Sequence, residues 1–296
     1  MDRSQSSKLK ADLPAFALAL RWVRRGLGGG GKVRLYDRLG RLTLTVVALL
    51  VAAALPASAQ SATAARGGLP RMWDGKPDLN GVWQALTTAN FDLQDHSAGL
   101  GVPAGQGVVE GNDIPYQPWA LTKKQENFRD RAKADPEEKC FLLGVPRTMY
   151  APYPFQIIHS PGYIAVFSEY AHTTRSIFMN SEHPPGPIEW FMGDSRGRWE
   201  GDTLVVDVKY FTDQTWLDRA GNFHSEDLHV VERYTMTTPD HIQYEATLED
   251  PKVFTRPWKI SLVLYRRKER NVRVLEYECY AYAEQEQARR GELGPK

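Results

Sequence analysis

From Phe155 onward the chain alternates apolar and polar residues with a period of two. "HIQYEATL" sets Ile242, Tyr244, Ala246 and Leu248 on one face and His241, Gln243, Glu245 and Thr247 on the other. "WKISLVLY" does the same with Trp258, Ile260, Leu262 and Leu264. Side chains of an extended strand point to opposite faces in turn, so each run reads as a strand buried on one side. "GYIAVFSEY", "TRSIFM", "DTLVVDVKY", "LHVVERYTM" and "NVRVLEYECY" carry the same signal. Turn chemistry separates them, as in Ser160-Pro161-Gly162, Glu200-Gly201-Asp202 and Thr238-Pro239-Asp240. Strands that follow one another without helices between them predict a mainly β protein, an antiparallel barrel of calycin-like shape or a sandwich. No fixed-period repeat is present, which disfavours a propeller.

Upstream the pattern changes. Residues 60–139 are rich in Gly, Ala, Ser, Asn and Asp and read as an extended N-terminal arm, broken by "DGKPDLNGVWQAL", where turn residues lead into Val82 and Trp83. "PWALTKKQENFRDRAKADP" predicts one surface helix, opened by a Thr122/Gln125 capping box, stopped by Pro136, and packed through Leu121, Phe128 and Ala132. Residues 140–285 then form the barrel domain and 286–296 a polar tail.

Charge refines this. The chain has 37 basic and 36 acidic side chains, but ten and three of these fall before residue 60, leaving 27 against 33 in the rest. A mildly acidic body without a Lys/Arg run argues against nucleic acid, whose phosphates demand clustered positive charge. The basic start precedes an apolar run, residues 42–55, and then Ala57-Ser58-Ala59. Residues 1–59 thus read as an N-terminal extension and signal peptide cleaved after Ala59. The apolar run falls short of the roughly 20 residues a membrane helix needs, so the expectation is a periplasmic or secreted protein without a membrane span after cleavage. In an oxidising compartment Cys140 and Cys279, the two cysteines, are expected to be bridged.

Several long motifs occur in one order: "DGKPDLNGVW", "PYPFQIIHSPGYIAVFSEY", "MGDSRGRWEGDTLVVDV" and "GNFHSEDLHVVERY". In these the chain resembles a group of uncharacterised secreted proteins of soil and environmental bacteria, over roughly residues 70–282. That resemblance carries no activity and no catalytic residue. Through Gly81-Val82-Trp83 ahead of the strands the chain also resembles lipocalin-like (calycin) barrels, although the long insertion after Trp83 departs from their compact pattern.

Candidate chemistry is sparse. His224 and His229 are five apart, which fits neither one face of a strand nor the paired metal ligands of a helix, and neither Cys-x-x-Cys nor His-Glu-x-x-His occurs. No metal centre is expected. No Gly-x-Ser-x-Gly elbow or phosphate loop follows a strand, so no nucleotide or other cofactor is expected. Two carboxylates share faces with apolar residues: Glu232 in "LHVVERYTM" and Asp207 in "DTLVVDVKY". A buried carboxylate must be paired or protonated, and Arg175 or Arg273 would serve Glu232.

The connection "TDQTWLDRAGNFHSEDLH", Thr212 to His229, joins two predicted neighbouring strands. Long loops without their own structure tend to be functional or disordered, and Trp216 with Phe223 argues for order. The expected reading lays Asp213, Asp218, Arg219 and His224 over a barrel mouth, joined by Asp194 and Arg196 from "FMGDSRGRW" and by Glu169 and His172 from "SEYAHTTR". The bland alternative is a loop whose polar groups satisfy one another. The leading function is recognition of a small, partly apolar organic molecule in the barrel. Cofactor-free acid/base chemistry (lyase, isomerase or hydrolase) would use His224 or His172 as base and Asp213, Asp218 or Glu232 as acid. Arg219 would then hold an anionic group and Trp216 would pack on the substrate. The alternatives are a non-catalytic carrier of lipid, pigment or sugar, and a protein-interaction component of the cell envelope.

Overall fold

A computed structural model describes residues 68–99, 102–186 and 188–291, so the expected signal segment and the last five residues lie outside the described part. Nine strands close into one barrel: β1 (Gly81–Ala85), β2 (Phe155–Ser160), β3 (Tyr163–Ser168), β4 (Thr174–Met179), β5 (Asp194–Glu200), β6 (Thr203–Lys209), β7 (His229–Thr238), β8 (His241–Glu249) and β9 (Trp258–Arg266). The alternation read from the sequence is what faces the interior. On β7 Val230, Glu232, Tyr234 and Met236 are buried, and on β8 Ile242, Tyr244, Ala246 and Leu248. Apart from Glu232, these residues form one core cluster with Trp83, Phe155, Ile164, Ile177, Leu204, Val206 and Ile260.

The barrel departs from the expected antiparallel sheet at one place. β4 and β5 pair in parallel, over Ile177↔Ser195, Phe178↔Arg196 and Met179↔Gly197 only. A parallel neighbour requires the chain to cross back to its starting end, and the connection between Met179 and Asp194 does this as a strap with no helix among its described residues. A second departure concerns the arm. β1 belongs to it and supplies the closing strand, pairing with β2 through Trp83↔Phe155 and with β9 through Ala85↔Leu264. Because β1 occupies the last free edge of β9, "NVRVLEYECY" finds no ladder to join. It does not form the expected strand; only Tyr277 makes an isolated bridge, to Tyr170.

The connections divide between the two ends. Tight turns at 161–162, 201–202 and 239–240 crowd one end, whereas residues 86–99, 102–154, 210–228 and 250–257 lie at the other. Both ends are covered. At the first, Arg71 clasps Asp202 through Nη1 and Nη2 at 2.8 and 2.6 Å, and Lys76 donates to the Gly201 carbonyl at 3.1 Å. At the second, Tyr150 donates to the Leu217 carbonyl at 2.6 Å, and Tyr116 to Asn222 Oδ1 at 2.8 Å.

Three α-helices occur among the described residues: α1 (Pro118–Ala134), α2 (Arg147–Tyr150) and α3 (Cys279–Arg289). The predicted surface helix, α1, begins a turn earlier than its capping box suggests, because Pro118 at the first turn has no N–H to leave unsatisfied. Thr122 instead bonds back to the Pro118 carbonyl at 3.3 Å. Its packing face is also rotated. Leu121 and Phe128 are 46% and 45% exposed, Ala132 is exposed, and Ala120 and Asn127 are buried. Gly221 explains the rotation: a Cβ there would lie 2.7 Å from Phe128 N and 2.8 Å from Asn127 Cβ, so this glycine lets the loop touch the helix backbone. At the C-terminal side, the Cys140–Cys279 disulfide, with Cα atoms 5.5 Å apart, ties α3 to the segment following α1.

Candidate functional site

The 210–228 loop is ordered, and it satisfies itself. Asp218 is fully buried and accepts from Leu93 N at 2.8 Å, Asn222 N at 3.1 Å and Asn222 Nδ2 at 2.5 Å. Burial, then the nearby Asp92 charge, pushes its carboxyl up to about 7 against those hydrogen bonds. His224 is buried as well, with Nε2 on Thr215 Oγ1 at 2.7 Å and Nδ1 on the Ser225 carbonyl at 2.8 Å. Burial lowers its pKa, which suits a neutral ring between two fixed partners. Trp216 is buried, its backbone bridged to Phe223. Asp213 is exposed. Arg219 turns away from any mouth to Glu137, Nε to Oε2 at 2.8 Å. The expected crown over an open barrel is therefore replaced by a roof whose polar groups face one another.

The other predicted residues separate in the same way. His172 is exposed and meets Glu278 at 2.7 Å, while Glu169 accepts from Leu275 N at 3.1 Å. Glu232 lies inside the barrel, where Arg175 reaches both of its oxygens and Tyr234 and Tyr244 donate to Oε1 at 2.9 and 2.8 Å. Arg175 Nε donates to Ser195 Oγ at 3.0 Å. Of the two partners expected for Glu232, Arg175 is the one present, and the pair is satisfied by its surroundings as a buried ion pair must be. Neither His224 nor His172 lines any of the four clefts described on the protein.

Geometry instead concentrates at the β4–β5 seam. Parallel pairing begins only at Ile177, so Thr174–Ser176 run free of β5 and the wall opens. A cleft of about 450 Å³ enters there. Its walls are Leu142, Phe178, Trp190, Phe191 and Met192, and the polar groups converging on it include Arg175, Asp194 and Ser195. Gly193 is required at the cleft's edge: φ is +64°, and a Cβ would meet Val208 Cγ1 at 2.7 Å. Asp194 and Arg196, expected over the barrel mouth with the loop's Asp213, Asp218, Arg219 and His224, pair with each other on β5 instead. Arg196 Nε and Nη2 lie 2.6 and 2.7 Å from Asp194 Oδ1 and Oδ2, with the guanidinium over the Phe178 ring.

The strap adds a histidine. His183 places Nδ1 on Asp194 Oδ1 at 2.6 Å and Nε2 on Asp207 Oδ1 at 2.7 Å, and His229 Nε2 approaches Asp207 Oδ2 at 2.8 Å. His183 thus lies between two carboxylates, one at each ring nitrogen. Burial works against the Asp207 and Asp194 anions, but the hydrogen bonds from His229 and His183 to Asp207, and from Arg196 and His183 to Asp194, hold both carboxyls below the usual carboxylate range. Asp207 sits on the outer face of β6, between the buried Val206 and Val208, and not among the core residues. An outer hollow of about 470 Å³ opens on this cluster. The described residues contain no group of three His, Cys, Asp or Glu arranged to hold a metal.

Sequence reasoning reached Asp194, Arg196 and Arg175 but missed the seam. Leu142, Trp190, Phe191 and Met192 have no periodicity that marks them as one wall. Glu182-His183-Pro184-Pro185 carries the prolines of a rigid turn, yet nothing local says that this segment crosses back along the barrel. The chain matches no known family model and no curated protein.

Proposed function

We propose that this is an exported barrel protein that binds a small, partly apolar organic molecule in the β4–β5 seam cleft. The observation that carries the reading is the make-up of that cleft: aromatic and aliphatic walls with a few converging polar groups, at a volume suited to a small ligand. Asp194 is the group that orients the guest. Held as an anion by Arg196 and His183, it is a fixed acceptor for an N–H or O–H and a poor proton donor. This favours binding over acid/base turnover, since His224 and His172 stand apart from the cleft. Export is supported by the disulfide, which persists in oxidising compartments, and by the signal pattern before residue 60. No helix among the described residues is long and apolar enough to cross a membrane.

The test is native mass spectrometry of the purified disulfide-bonded protein, followed by isothermal titration with small aromatic and aliphatic amines and alcohols. Thr174 is exposed at the cleft edge, so Thr174→Trp fills the space without disturbing the core. A guest that binds the wild type and is lost from a normally folded Thr174→Trp supports the proposal. If no compound binds, or the variant binds equally well, the proposal is wrong.

A further inference from the structure

The barrel wall keeps a short strand edge that no other strand uses. In an antiparallel pair, residues that exchange backbone hydrogen bonds with the neighbour alternate with residues whose N–H and C=O point away from it. Ser168 N donates to the Thr173 carbonyl at 2.8 Å, so Thr173 faces β3. Thr174 and Ser176, opposite Phe167 and Ala165, therefore point their backbone groups to the other side. That side belongs to β5 only from Ile177 onward. The Thr174 N–H and C=O and the Ser176 N–H are left facing the seam cleft, which Thr174, Arg175 and Ser176 all line. The strap does not take them. Trp190 N donates to the Tyr210 carbonyl at 2.8 Å, and the Trp190 carbonyl accepts from Thr212 N at 3.1 Å, which fastens the strap to residues 210–212 rather than to β4.

An open strand edge is a template for another extended chain. From Thr174 to Ser176 it offers roughly 10 Å at a strand's rise per residue, enough for a short segment only. The remaining walls select side chains and charge. Leu142, Phe178, Trp190, Phe191 and Met192 are apolar. Arg175 is spent on Glu232 and Ser195, and the Asp194 charge is balanced by Arg196. Glu189 is exposed at the cleft and has no hydrogen-bond or ion-pair partner among the described residues. This uncompensated negative charge favours a guest with a cationic end.

We propose that the seam cleft takes a short extended peptide with apolar side chains and a free amino terminus, added as a strand along Thr174–Ser176 with its ammonium drawn to Glu189. The proposal rests on the reading of the cleft as a small-molecule site and names the class of its guest.

The experiment is isothermal titration of the intact disulfide-bonded protein with trivaline amide, beside isopentylamine, which has the charge and an apolar chain but no peptide groups. Saturable binding of trivaline amide is expected, weakened about tenfold when both of its internal amide nitrogens are methylated, and by a similar factor in Thr174→Pro. Proline is tolerated at that position because β3 does not use the Thr174 N–H. Should Thr174→Pro fail to fold, the methylated peptide decides by itself. Unaltered affinity of the methylated peptide overturns the proposal. Binding of isopentylamine without trivaline amide also overturns it but leaves the cleft a small-molecule site, whereas binding of neither overturns both readings.

Discussion

Arg175 and Glu232 meet inside the barrel from β4 and β7, with Nη1 and Nη2 directed at Oε1 and Oε2. Tyr234, Tyr244 and Ser195 complete the network. Two charges out of water are tolerated here because each oxygen and most donors are used.

Removing one partner strands the other. Arg175→Met or Glu232→Leu alone should cost about 3–5 kcal/mol, and the double variant should recover much of that loss. Urea unfolding of the three variants measures this, and equal losses in singles and double would contradict it.

The disulfide closes a loop with a sequence separation of 139 residues. Chain entropy gives it about 5 kcal/mol at most, less any compensation in the reduced state. Thermal unfolding with and without reductant should show the difference, and Cys140→Ser/Cys279→Ser should match the reduced protein.

Asp218 titrates at about 7 in the fold, above the unfolded carboxyl value near about 4. Between those two values the folded state holds a proton that the unfolded chain has released, so this group's contribution to stability falls as pH rises through that window and levels off above it. Asp218→Asn should flatten that fall. Urea midpoints of both proteins from about pH 4 to 8 decide it; parallel curves would show that Asp218 does not govern the slope.

Gly221, at φ +83°, abuts the α1 backbone. Gly221→Ala adds both left-handed strain and a clash, for a loss of about 1–3 kcal/mol or more. A melting temperature equal to wild type would mean that the helix can move away freely.

How much of this was legible beforehand follows from the range of each interaction. Period-two alternation is local, so the faces of β7, β8 and β9 and the burial of Glu232 could be read directly from side-chain order. Turn residues marked the hairpins for the same reason. Cys140 and Cys279 could be paired by count.

Other features depend on segments far apart in the chain. The segment "NVRVLEYECY" has the pattern but forms no strand, because β1 closes the edge of β9, and only its isolated Tyr277 bridge to Tyr170 remains. The loop at 210–228 carries the residue types of an active site, yet the donors of Leu93 and Thr215 turn Asp218 and His224 inward. Nothing local separates a polar group facing water from one facing another loop. The seam exists only because β4 and β5 run parallel, and His183 reaches Asp194 and Asp207 only because the strap must cross back. Local patterning determined the strands and their buried faces; tertiary closure decided the direction of one pair, and with it the place where the wall opens.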